Sequence, residues 1–178
     1  MGDALRRLFL SLGIALGLAS GQPDPSLFAR VAFDGGELVA SIRVDNAFAP
    51  GALELVEAGT RVALRYSARV ETAAKGELAA EETRSLWYDL RSGRYDVAFD
   101  GGKAAALVDP QAARTLVSEL ARLELCRAEE APTGARVVVR AEIGIVDSRG
   151  AWHDAPVLWN YSSPRAVIAY GPGAAGGR

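Results

Sequence analysis

Few side chains in this sequence could run chemistry near neutral pH. There is one histidine, His153, and one cysteine, Cys126. General acid–base work at neutral pH would fall first to His153, because only histidine has an unperturbed pKa in that range. A Ser-His-Asp triad would have to recruit His153 from the turn-like stretch WHDAP, where its sequence neighbour Asp154 is a poor orienter of the same imidazole. A Cys126 nucleophile would need a histidine and an acid beside it. Cys126 instead follows Leu125 in a helical pattern, which reads as a small buried or half-buried thiol.

Acidic pairs occur at Glu81-Glu82 and Glu129-Glu130, beside loop-like sequence. A glycosidase needs two carboxyls at a set separation across a cleft. Loop solvation accounts for both pairs. One His and one Cys cannot complete a closed zinc set. Neither Asp34-Gly35-Gly36 nor Asp100-Gly101-Gly102, both turn-like, carries the alternating acids of a calcium loop. No nucleophile elbow, HExxH, phosphate loop or dinucleotide glycine pattern is present. The sequence therefore assigns no catalytic residue, no metal ligand and no cofactor, and a non-enzymatic protein is expected.

Two surfaces remain. Trp152, Trp159 and Tyr161 gather near the C-terminal end and could stack on a sugar or meet a partner. Trp159 and Tyr161 share one face of a strand pattern, which favours core packing over a binding surface. The second is a row of arginines. Over residues 60–72, Val62, Leu64, Tyr66, Ala68 and Val70 alternate with Arg61, Arg65, Ser67, Arg69 and Glu71. Such a row is expected to be a solvated face paired across the sheet with acids, with Glu81, Glu82 and Asp89 as candidates.

The elements that would position these residues follow from periodicity. Residues 27–45 read as a hairpin turning at Asp34-Gly35-Gly36, with Leu38, Ala40, Ile42 and Val44 on one face. Residues 50–58 form a short helix stopped at Gly59, with Leu53 and Val56 facing inward. Residues 72–80 read as a loop, then strands are expected over 83–90, 94–100 and 103–108. Asp109-Pro110 opens a helix carrying Ala113, Leu116, Val117, Leu120 and Leu123 at helical spacing. That spacing predicts one long helix ending near Arg127. Residues 136–146 form a strong strand, and 157–161 and 166–170 two short ones. Alternation throughout excludes a parallel sheet buried on both faces. The fold class is α+β, mostly β: a curved antiparallel sheet or open β-sandwich with one long and one short helix.

The N-terminal stretch has a basic head, MGDALRR, and an uncharged run, LFLSLGIALGLA, before small residues at Ala19 and Gly21. This is the pattern of a signal peptide over 1–21 with cleavage before Gln22. The run is shorter than the roughly 20 residues a spanning helix needs. No stable membrane span is expected after cleavage, with retention as an uncleaved anchor the alternative. With no cysteine at the cleavage point, no lipoprotein anchor is expected. Residues 22–170 then make a single β-rich domain, and 171–178 a disordered tail. Removing Asp3, Arg6 and Arg7 from 20 basic and 22 acidic residues leaves 18 and 21. A slightly acidic chain gives no reason to expect nucleic acid. A periplasmic or secreted location is expected.

The ordered segments SIRVDNAFAPGALELVEAGTRVALRY, WYDLRSGRYDVAFDGG and DPQAARTLVSELARL together resemble the DUF4390 family of bacterial exported proteins. The resemblance implies export and one β-rich domain, and supplies no catalytic residue. The expected function is that of an envelope protein binding an unknown envelope protein or lipid. The alternative is a small-molecule or lipid-binding periplasmic protein.

Overall fold

The computed structural model describes residues 25–71, 78–100, 102–131, 136–147, 151–152, 159–162 and 166–167. The proposed signal segment, His153 and the tail lie outside them.

The expected hairpin forms. Strand β1 (Ser26–Asp34) pairs antiparallel with β2 (Glu37–Asp45). Gly35 and Gly36 take positive φ (60° and 86°), a region open to glycine because it has no Cβ. Helix α1 (Pro50–Glu57) ends at Gly59 in a Schellman motif, with Gly59 N–H donating to Val56 O and Thr60 N–H to Leu55 O, each at 2.9 Å. Ala52 and Val56 are its buried residues, whereas Leu53 is only partly covered.

A meander follows: β3 (Val62–Glu71), β4 (Leu78–Asp89), β5 (Arg94–Phe99) and β6 (Gly102–Leu107). Strand β4 starts earlier than expected, at Leu78, because β3 pairs with it up to Val70↔Leu78. Helix α2 (Pro110–Ser118) is capped as expected, the Asp109 carboxylate accepting from Gln111 N at 2.9 Å.

The chain then departs from the expected long helix. After Ser118 it becomes strand β7 (Glu119–Arg127), paired antiparallel with β2. The leucine spacing in ELARLELCR suits either period. The unpaired edge of β2 decides it, supplying ladder partners that one more helical turn would forgo. Register shifts between Leu38/Val39 and Ala40/Ile42 let β7 bury Leu120, Leu123 and Leu125 despite their mixed spacing. A short 3-10 turn (Ala128–Glu130) follows, then β8 (Arg136–Ile145), β9 (Trp159–Ser162) and β10 (Ala166–Val167).

Two antiparallel sheets result, a smaller one ordered β1-β2-β7 and a larger one ordered β10-β8-β3-β4-β5-β6, with β9 also on β8. They do not close into a barrel, so the molecule is a mostly β open sandwich with two short helices. The core lies between the layers. Leu38, Leu64, Tyr66, Leu86, Leu120 and Ile143 are its largest fully buried side chains. Tyr66, Val97, Leu120, Val139 and Ile143 are buried, while Leu116, placed by its helical spacing with Val117 and Leu120, is partly exposed. Among the described residues no helix is long and apolar enough to cross a membrane.

Candidate functional site

Strand β3 sits in the middle of the larger sheet and divides its chemistry between two faces. Val62, Leu64, Tyr66, Ala68 and Val70 are buried in the core. Arg61, Arg65, Ser67 and Arg69 therefore stand on the outer face. Register places Arg65 between Glu142 of β8 and Thr83 of β4, and Ser67 between Arg140 and Glu81.

One half of that outer face is covered. Val146 bridges to Trp152, and beside the bridge Asp147 N–H donates to Ala151 O (3.0 Å) and Ala151 N–H to Asp147 Oδ1 (2.9 Å). This lays the Trp152 ring against the sheet. The Arg65 guanidinium stacks on it, 4.2 Å from the ring centroid. Gly144 makes the room: a Cβ there would meet Trp152 Cζ2 at 2.5 Å. Alongside, Arg61 stacks on Trp87 at 4.0 Å and donates to Asp147 O at 3.4 Å. Desolvation lowers the Arg61 pKa, and the charges of Asp147 and Asp96 oppose that shift. Ala63, Ser85, Asp96, Ala98 and Val146 are buried here, although the core lies on the other side of the sheet.

The other half is open. A depression of about 320 Å³ is walled by Arg65, Ser67, Arg69, Glu81, Arg140 and Glu142. Glu142 Oε2 holds Arg65 through both Nε (3.2 Å) and Nη2 (2.5 Å). Arg65, Arg69 and Arg140 bring three guanidinium groups to the depression, and Glu81 and Glu142 two carboxylates.

Neither protein-family models, nor curated proteins, nor solved structures match this chain. Its candidate site rests on geometry.

The residues singled out by sequence fall in different elements. Trp152 gives one ring face to Arg65. Trp159 lies opposite Ile143 in register and Tyr161 opposite Ala141, both on β9, whereas Trp152 lies in a separate bridge. The partner of Arg65 is Glu142 of β8, not one of the acids expected, Glu81, Glu82 and Asp89, which all lie on β4. Asp89 serves its own turn, accepting from Arg91 N (3.0 Å) and Ser92 Oγ (2.8 Å). Those bonds, led by the one from Arg91 N–H, hold its pKa below the usual value.

Glu81 and Glu82 are successive strand residues and take opposite faces, so they cannot flank one bond. Glu81 walls the depression, whereas Glu82 binds Arg84 Nε at 2.7 Å on the core side. In the other pair, Glu130 accepts from Arg127 N at 3.0 Å. Cys126 is half-buried opposite Leu38, and burial, with Glu130, pushes its thiol pKa up, away from a nucleophilic thiolate. Among the described residues no His, Cys, Asp and Glu group could hold a metal. Sequence reasoning missed Arg140. Its alternation with Val137, Val139 and Ala141 marked it as outward, but only strand pairing sets it beside Ser67.

Proposed function

We propose that this is an exported envelope protein that acts by binding, through the outer face of its larger sheet. The observation that carries the reading is the open depression beside the Arg65–Glu142–Trp152 stack. The stack fixes one wall, so the depression has a defined rim of charged groups. The raised thiol pKa of Cys126 and the single histidine of the sequence favour binding over catalysis. The leader-like N-terminus supports export, and the ordered pattern resembling DUF4390 is in keeping with it. The interlayer space is filled by Leu38, Leu64, Tyr66, Leu86 and Leu120, which favours a surface mode over an enclosed lipid cavity.

Site-specific cross-linking in the cell of origin tests this. A photoactivatable residue replacing Arg69, on the larger sheet, should give a discrete adduct in the envelope fraction. The same residue replacing Arg30, on the smaller sheet, should not. The captured protein should begin at Gln22. Adducts from position 30 alone, or a chain retained whole in the membrane fraction, would defeat the reading. So would loss of the envelope phenotype in a folded, exported His153→Ala protein, which would point to catalysis.

A further inference from the structure

We propose that the depression on the open half of the larger sheet binds a small monocarboxylate that also carries a hydrogen-bond donor, with its carboxylate on Arg140 and its donor on Glu81. The inference rests on the binding reading above and names the chemistry recognised there.

Three adjacent strands carry the argument. Arg140 of β8, Ser67 of β3 and Glu81 of β4 lie in one register row. Paired strands are spaced about 4.8 Å apart, so a cation and an anion stand on opposite walls about 10 Å apart at the backbone, with a hydroxyl between them. Both long side chains can lean inward over Ser67. Neither the Arg140 nor the Glu81 side chain has a hydrogen-bond or ion-pair partner among the described residues. Arg65 differs, being held by Glu142 and Trp152, and so acts as a wall. Arg69 lies diagonal to Arg140, on the same wall of the depression.

Charge and size narrow the ligand. A guanidinium matches a carboxylate through two parallel N–H donors, and the Ser67 hydroxyl can supply a third. A single guanidinium without a partner among the described residues, that of Arg140, suits a single carboxylate. A dianion would bring its second charge towards Glu81 and Glu142. Glu81, an acceptor only, calls for an ammonium or hydroxyl on the ligand a few ångströms from the carboxylate. The volume, about 320 Å³, admits a molecule the size of an amino acid or a sugar acid.

Amide chemical-shift titration of the full chain tests the proposal, with L-alanine and D-glucuronate as probes. Ethanolamine, D-glucose and inorganic phosphate are the comparators. At least one carboxylate should give saturable shifts centred on Ser67, Glu81 and Arg140, and the responding probe tells an amino acid from a sugar acid. Arg140→Ala should weaken that probe about tenfold or more, the scale of a lost charged hydrogen-bond pair. Glu81→Gln should weaken alanine more than glucuronate, because only the ammonium brings a positive charge. Both residues are exposed, so unchanged thermal melts should accompany these losses. Absence of saturable shifts with either carboxylate, phosphate binding as tightly as the carboxylates, or full affinity in Arg140→Ala would each overturn the assignment. If the carboxylates fail while a cross-linker at position 69 still captures an envelope protein, the monocarboxylate is wrong and the binding face stands. If they bind and no adduct forms, the ligand site stands without the partner.

Discussion

The Tyr66 hydroxyl donates to the backbone carbonyl of Val117 across 2.7 Å, joining the middle of the larger sheet to the last turn of α2. The phenol is fully buried. Arg84, one strand away, donates from Nη1 to Leu116 O (2.9 Å) and Glu119 O (2.6 Å). A helix leaves its last carbonyls without intrahelical partners. Here α2 passes directly into β7, and side chains of the sheet beneath supply the donors. That junction converts a helix into a strand without a loop.

Tyr66→Phe should cost about 1–2 kcal/mol, since it leaves a buried carbonyl without its donor. It should also change the response to alkali. Burial raises the Tyr66 pKa well above its ordinary 10.0, with Arg84 opposing and Glu82 and Glu119 adding. A raised folded pKa contributes stability that is complete below the unfolded value and is lost as pH rises towards the folded one. Wild type should therefore lose stability progressively above about pH 10, and Tyr66→Phe should lose less per pH unit. Urea midpoints for both proteins from pH 8 to 11 would show this. Parallel curves would mean that Tyr66 ionises in the folded state as freely as in the unfolded one.

Arg84→Met should cost about 2–3 kcal/mol, because two carbonyls and the Glu82 carboxylate lose a charged donor. Arg84→Lys should recover only part, since one ammonium cannot reproduce the fork. Chemical denaturation measures both. Equal stability of the Met and Lys variants would show that the side chain acts by packing on Phe99, which it overlies at 4.7 Å.

Leu120 is 1% exposed at the start of β7. Leu120→Ala should cost about 2–5 kcal/mol, the range for a leucine removed from a packed core. An unchanged unfolding midpoint would mean that β7 does not close the core.

Gly144→Ala should cost about 1–3 kcal/mol, because the added methyl overpacks against the Trp152 ring. Its φ is not the issue; space is. Removing the ring as well should relieve the strain, so Gly144→Ala combined with Trp152→Ala should be less destabilised than the two singles summed. Simple additivity in that double-mutant cycle would show that the ring and Gly144 are not in contact.

Local signals in the sequence settled the parts of the fold that local physics controls. The Asp-Gly-Gly hairpin, the Gly59 stop, the Asp109 cap and the alternation of β3 and β8 each depend on residues within a few positions of one another. Turn conformations, caps and two-residue periodicity are set at that range. The path after Ser118 was not, because Leu116, Leu120 and Leu123 fit a helix while Leu123 and Leu125 fit a strand. The choice lay with β2, whose open edge was set some 80 residues earlier. The candidate site shows the same division. That Arg65 and Arg69 face outward was legible from alternation alone. That Arg65 meets Glu142, 77 residues on, and that Ser67 lies between Arg140 and Glu81, was decided by strand order and register. Pairing between distant strands carries no periodic trace in either strand, so only the tertiary structure could bring those charges together.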